Sequence, residues 1–260
     1  MSAPTDPWAL LDAASTVVAV HAHPDDESLS TGALLAALTA AGTRVVLVTA
    51  TRGEEGEIVP GALGADESRP LEEIREAEID RAVAALGLTE RHWLGIAPAL
   101  APGAAPRRYR DSGMQWVREG LAGPSDTAGP ESFSLQPLEG EVADLHALLE
   151  AVRPDVVLGY DDEGTYGHPD HVRAHHVAVG AAERAGIPLL QVASGTPDDP
   201  RTRWREHPGT AEAVQRAVDS YRTQLTVRGR RADGIAIRHV GGQDDLVALR
   251  TGLHMPPGAP

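Results

Sequence analysis

Three nearly unbroken apolar runs of strand length punctuate the chain: "TVVAVHA" from Thr16, "RVVLVTAT" from Arg44 to Thr51, and "DVVLGY" from Asp155 to Tyr160. Two shorter runs, "RHWLGI" (91–96) and "IPLLQVAS" (187–194), read as further strands. Helical stretches separate them. Leu29 to Ala41 is helical in composition and closed by Gly42, and Leu71 to Leu86 sets Leu71, Ile74, Ile79, Ala82, Val83 and Leu86 near one face before Gly87. A third helix is expected around Glu141 to Val152, ahead of Pro154, and a fourth from the loop "DDEGTYGHPDH" to about Ala185, ended by Gly186. Strands that are apolar at successive positions must be covered on both faces, and helical crossovers make them parallel. The pattern predicts an α/β fold, a Rossmann-like, mostly parallel sheet sandwiched by helices. Beyond it, "LTVRGRRADGIAIRHVG" (225–241) predicts two short strands around a turn with Asp233 and Gly234, a small C-terminal β addition.

Two stretches rich in Pro, Gly and Ala, "APALAPGAAPRR" and "AGPSDTAGPES", flank "YRDSGMQWV" and predict a long irregular excursion of the kind that carries function. The whole chain, 1–260, is expected to form one domain: a core over about 15–195, a C-terminal helix and hairpin over 196–253, and a flexible tail from 254. No run approaches the roughly 20 apolar residues of a membrane span, and the N-terminus lacks a signal-peptide pattern, so a cytoplasmic protein is expected.

The chemistry is concentrated where strands end. "HAHPDDE" (21–27) follows the first strand and "DDEGTYGHPDH" (161–171) follows the strand ending at Tyr160. In an open parallel sheet, ligands bind beyond the carboxyl ends of strands. Charge of this density is costly to bury without compensation, and a divalent cation is the simplest compensation. No cysteine occurs, so any metal is held by His, Asp or Glu. His23 and Asp26 with a histidine of the second loop make a His₂-carboxylate set that leaves a coordination position open. A receiver-type phosphorylation site is disfavoured because the chain has no lysine, and a zincin helix because Val172 stands where the base would be. No G-x-G-x-x-G follows the first strand. The formal charge of −15 opposes nucleic-acid and anionic-membrane partners. Absence of lysine and asparagine, both read from AT-rich codons, points to a GC-rich genome.

"AHPDDE" (22–27) together with "GHPDH" (167–171) resembles the PIG-L/LmbE-like family of zinc-dependent N-deacetylases, over about residues 15–195. The resemblance implies one zinc ion per chain, with ferrous iron as the alternative, held by His23, Asp26 and His171. It implies Asp25 as general base and His168, oriented by Asp170, as an imidazolium that stabilises the oxyanion and protonates the leaving amine. "GEEGE" (53–57) and "YRDSGM" (109–114) resemble the members that release acetate from an N-acetylglucosaminyl-inositol, and imply a small N-acetylated sugar as substrate. Arg75 and Asp111 resemble positions that meet sugar or inositol hydroxyls, unless Arg75 pairs with Glu78 one turn along its helix. Tyr166 is expected to cover the site or pack beside it. His21 is expected behind the ligands, and His175 and His176 as ordinary helix residues. The alternatives are a mycothiol-conjugate amidase, a deacetylase of a secondary metabolite, and a sugar-binding protein without catalysis. Homo-oligomerisation is left open.

Overall fold

Alternate residues of the first strand go to opposite sides of the sheet, and both sides are apolar. Val17 and Ala19 enter one core, Val18 and Val20 the other, and in the neighbouring strand Val45 and Leu47 separate from Val46 and Val48 in the same way. In a computed structural model that describes residues 6–194 and 199–256, a sheet of seven strands lies between two layers of helix.

The chain enters through α1 (Pro7–Ala13), capped by Asp6, and forms β1 (Thr16–His21), α2 (Asp26–Ser30), α3 (Gly32–Ala40) and β2 (Arg44–Thr49). A long loop leads to α4 (Leu71–Ala85) and β3 (Glu90–Trp93). The excursion then carries β4 (Met114–Arg118) and β5 (Leu121–Pro124), followed by α5 (Leu138–Val152) and β6 (Val156–Tyr160). After a distorted turn, α6 (Gly164–Gly167), come α7 (Pro169–Ala185), β7 (Leu189–Val192), β8 (Arg203–Glu206) and α8 (Ala211–Asp219). The chain closes with β9 (Leu225–Arg230), β10 (Gly234–His239), β11 (Asp244–Ala248) and β12 (Arg250–His254).

The main sheet runs β3-β2-β1-β6-β7-β12-β8. The first five are parallel, and β12 and β8 are antiparallel to their neighbours. Strand order reverses between β1 and β6, which pair Val17↔Val156 through Ala19↔Leu158. Leu34, Leu35, Ile79 and Val214, from α3, α4 and α8, with Leu86 just after α4, fill one core; Leu145, Leu148, Leu149, Val177 and Ala181, from α5 and α7, fill the other. A leucine buried as completely as Leu145 or Leu148 stabilises the fold by about 2 kcal/mol. Among the described residues no helix is long and apolar enough to cross a membrane.

Three expectations need correction. The excursion is not wholly irregular, since β4 and β5 form a two-stranded antiparallel ribbon within it. The hairpin of β9 and β10 has a third strand, β11. His254, assigned by the sequence to a flexible tail, is buried as the last residue of β12, inserted between β7 and β8; 257–260 lie outside the described residues.

The segment after α8 is tied to the core by polar contacts. Thr223 donates from its backbone N–H (2.9 Å) and its hydroxyl (2.6 Å) to the buried carboxylate of Glu78. Its carbonyl accepts from Val59 N–H at 2.8 Å, linking α4, the long loop and the C-terminal segment. Thr223→Val, which removes one donor from a buried carboxylate, should lower unfolding free energy by about 1.5–3 kcal/mol in urea denaturation.

Candidate metal centre

The loops after β1 and β6 meet because those strands are neighbours. After His21, the chain turns through His23 and Pro24 and starts α2 at Asp26, with Asp25 at a positive φ of 114°. The turn is closed by the Asp26 carboxylate, whose Oδ2 accepts from His23 N–H at 2.8 Å. The same oxygen accepts from the Tyr160 hydroxyl at 2.7 Å, and that hydroxyl accepts from Ala22 N–H at 3.1 Å. Tyr160 is the last residue of β6, so a single side chain locks the two strand ends together. On the other loop, His168 caps α7, its Nδ1 accepting from Asp170 N–H at 3.2 Å, with Pro169 at the first helical position. His171 stands in the first turn with its ring stacked on Tyr160, centroids 4.5 Å apart.

Asp26 lies between the two histidines of the sequence-derived set. Its Oδ2 is 3.3 Å from His23 Nδ1 and its Oδ1 is 3.2 Å from His171 Nε2. His171 Nε2 is buried and has no hydrogen-bond partner, while Nδ1 of that ring meets the Thr165 hydroxyl at 3.2 Å. An unpartnered ring nitrogen facing a buried carboxylate is what a divalent cation would satisfy, and two imidazoles with one carboxylate are a zinc-type donor set. The residues present fit a metal. Ligating atoms come within 4.8 Å of one another in two triplets, His23 with His168 and His171, and His23 with Asp111 and Asp170, whereas Asp26 meets His23 and His171 through separate oxygens.

The second of these triplets has its carboxylates already engaged. Asp170 accepts from Ser112 N–H at 2.9 Å and from the Ser112 hydroxyl, and its Oδ2 is 3.1 Å from His23 Nε2. Asp111 accepts from Gly113 N–H at 2.8 Å and Glu55 N–H at 3.3 Å, and its Oδ1 is 3.5 Å from the same His23 nitrogen. Asp170 therefore orients His23, not His168 as expected; only its backbone N–H meets the His168 ring. A carboxylate behind a ligating imidazole fixes the ring and its tautomer.

The electrostatics divide the site. Burial opposes charge on His23, but Asp111, Asp170 and Asp26 outweigh it and hold its pKa well above the usual histidine range. Burial, with the neighbouring charges of His23 and His171, pushes His168 far below that range. Because His168 Nδ1 accepts from Asp170 N–H, Nε2 is the ring nitrogen left to carry a proton toward the cluster. Asp25 is raised well above the carboxylate range by burial and by Asp26 and Glu27, against His23 and Arg75. Among the described residues no donor hydrogen-bonds its carboxylate.

Arg75 is fully buried, and Glu78 turns away from it to Thr223. Its Nη2 donates to the carbonyls of Gly56 and Glu57, each at 3.1 Å, and a Cβ on Gly53 or Gly56 would fall within 2.7 Å of the guanidinium. The helix-surface pair with Glu78 is thus overturned, and Arg75 braces the loop "GEEGE". Tyr166 packs within 5.5 Å of the His171 ring, with the half-exposed Trp116 of β4 at 5.5 Å on its other side. His21 is buried behind the site, its Nε2 2.9 Å from the Thr31 hydroxyl, and burial lowers its pKa to about 4. His175 Nδ1 meets the Tyr160 carbonyl at 2.9 Å.

Sequence reasoning missed Tyr160, Ser112 and Tyr221. Tyr160 carried a usable signal, an aromatic hydroxyl at the end of a buried strand. Tyr221, whose hydroxyl donates to the fully buried Glu27 at 2.6 Å, lies 194 positions away in the chain, and no spacing announces the contact.

Fold and site together define the class: the chain belongs to the PIG-L family. Residues 18–182 match the family described as "PIG-L: GlcNAc-PI de-N-acetylase". Among its relatives is a protein of Streptomyces avermitilis named 1D-myo-inositol 2-acetamido-2-deoxy-alpha-D-glucopyranoside deacetylase, 38% identical over 92% of this chain and 76% of that protein. A protein of the same name from a Nocardioides species is 45% identical over 65% of this chain and 54% of its own length. Of solved structures, the N,N'-diacetylchitobiose deacetylase of Pyrococcus horikoshii shares the fold, with a TM-score of 0.57 and 19% identity over 84% of this chain and 73% of that one.

Replacing Arg75 by Met keeps the bulk and removes the donors from two loop carbonyls. It should cost about 1.5–3 kcal/mol and open the 53–57 loop to proteolysis at a concentration that spares the wild type. A wild-type cleavage pattern would show that Arg75 does not brace the loop.

Proposed function

We propose that the protein is a zinc-dependent N-deacetylase that releases acetate from an N-acetylglucosaminyl small molecule, and that an inositol glycoside is its substrate. The observation that carries the reading is the unpartnered Nε2 of His171 facing the carboxylate of Asp26, with His23 on the other side of that carboxylate. The names of the relatives supply the substrate class. His23, Asp26 and His171 would hold the ion, and zinc in such a site supplies a Lewis acid that acidifies water and polarises an amide carbonyl.

The chain's own residues do the rest. Asp25, raised in pKa and without donors, takes the proton of the attacking water. Its basicity is better matched to neutral pH than that of an ordinary carboxylate. His168, neutral, donates from Nε2–H to the oxygen on which negative charge develops as the amide carbon becomes tetrahedral. When the C–N bond breaks, Asp25 returns the proton to the departing amine, and acetate and a free amino sugar leave. Asp170 and Asp111 hold the His23 ring from behind. Asp111 and Tyr166 line the approach to the amide, and Arg75 shapes it through the loop it braces.

A free carboxylate of raised pKa beside the cluster favours catalysis over passive sugar binding, which has no use for a base. The test is acetate release from a panel of N-acetylglucosaminides with and without an inositol aglycone, with zinc content measured on the same preparations. The inositol glycoside should be the best substrate. His171→Ala should lose both zinc and turnover. Asp25→Asn should keep its zinc while turnover falls by roughly two to four orders of magnitude. His168→Ala should also keep its zinc and lose about two to three orders of magnitude, the range of a lost oxyanion donor. Full zinc content in His171→Ala would move the ion to His23, Asp111 and Asp170, and none retained in His168→Ala would add His168 to His23 and His171 as a ligand.

A further inference from the structure

Thr165 has φ 68° and ψ −77°, the geometry of a strained γ-turn and an unfavourable one for a β-branched residue. Gly164 (φ 58°) and Gly167 (φ 79°), in the same loop, meet their positive φ values with glycine; Thr165 does not. The surrounding contacts show what holds it there. Thr165 N–H donates to the hydroxyl of Ser194 at 2.7 Å. Ser194 follows β7 and is itself fixed to Asp161, directly after β6, by its N–H at 2.6 Å and by its hydroxyl. The three residues tie the ends of two adjacent parallel strands to the loop that carries the site. The strained backbone has one visible product: it brings Thr165 Oγ1 to 3.2 Å from Nδ1 of His171.

We propose that Thr165 is a positioning residue for His171, with Ser194 and Asp161 as the strut that holds it in its strained conformation. This rests on the reading of His171 as a metal ligand. When Nδ1–H donates to the threonine hydroxyl, Nε2 keeps its lone pair directed at Asp26 and available to a cation. The opposite tautomer would put a proton on Nε2 and remove the donor. A glycine at 165 would relieve the backbone and leave the ring free to turn or to change tautomer.

The experiment compares wild type, Thr165→Gly, Thr165→Val, Thr165→Ser and Ser194→Ala. Zn²⁺ affinity is measured by competition with a chromogenic chelator, ligand geometry by the visible absorption of the Co²⁺-loaded proteins, and melting on the metal-free forms. Thr165→Gly should melt higher than wild type when metal-free and yet bind Zn²⁺ about 10–100-fold more weakly, the usual effect of losing the partner of a ligating imidazole. Thr165→Val should show the weakening without the gain in melting temperature. Thr165→Ser, which keeps the hydroxyl, should bind within about threefold of wild type, and Ser194→Ala should weaken binding about tenfold through the relaxed turn. Wild-type Zn²⁺ affinity and an unchanged Co²⁺ spectrum in Thr165→Gly would overturn the proposal while leaving His171 a ligand. If His171→Ala binds Zn²⁺ as wild type does, the ligand assignment itself falls, and the proposal with it.

Discussion

The position of one carboxylate, Asp26, organises this structure. It is buried, it accepts from His23 N–H and the Tyr160 hydroxyl, and its two oxygens lie against imidazoles from different loops. His23 and His171 pull its pKa well below the carboxylate range despite burial, so it is a fixed negative charge. That charge requires β1 and β6 to be adjacent: strands lie about 4.8 Å apart, and one intervening strand would carry the two loops out of reach of each other. The reversal of strand order beside β1 is thus the topological condition for the site. Tyr160 makes the adjacency precise at atomic scale, since its hydroxyl receives a backbone donor from one strand end, serves Asp26, and leaves its ring as the floor for His171.

The acidic groups around this centre are not equivalent, and hydrogen bonding sorts them. Asp111 and Asp170 accept backbone and hydroxyl donors and stand behind His23; they supply negative charge and orientation, with their oxygens occupied. Glu27, fully buried, accepts from Ser28 at 2.5 Å and Tyr221 at 2.6 Å, yet burial still raises its pKa to about 7. Asp25 alone combines a raised pKa with freedom from donors, on a residue held at a positive φ by the turn that starts α2. Four carboxylates within a few residues of the cluster thereby reduce to one candidate base, by a criterion that sequence spacing does not contain.

What was legible in the sequence follows the range of the interactions that decide it. The runs around Val17, Val45 and Val156 are apolar at successive positions because both faces are covered, so strand type and layer architecture could be read locally. The pairing of "AHPDDE" with "GHPDH" at strand ends gave the cluster for the same reason. The β12 strand was not legible: "RTGLH" is short, contains Gly252 where Trp204 crosses closely, and becomes a strand only by inserting between β7 and β8. Resemblance implies that Asp170 orients His168, whereas the helix start at Pro169 points the carboxylate to Ser112 and His23. Arg75 shows the same limit in reverse. Its i,i+3 neighbour Glu78 is on the same helix, but Thr223 of a distant segment claims that carboxylate.

That distant segment also reaches the loops that carry the cluster. The family match ends at residue 182, yet the site does not. Tyr221 reaches Glu27, Gln224 donates to the Pro24 carbonyl at 2.7 Å beside the metal loop, and the Thr223 carbonyl accepts from Val59 at the end of the acidic loop. Arg75 braces that loop from the other side through Gly56 and Glu57, and Asp111 accepts from Glu55 within it. The loop 53–59 is thus suspended between the helix that carries Arg75, the "RDSGM" segment and the C-terminal segment. The segment after residue 182 therefore reaches both parts of the site: Thr223 helps to set the loop 53–59, while Tyr221, Gln224 and Ser194 act on Glu27, Pro24 and Thr165, the immediate neighbours of Asp26, Asp25 and His171.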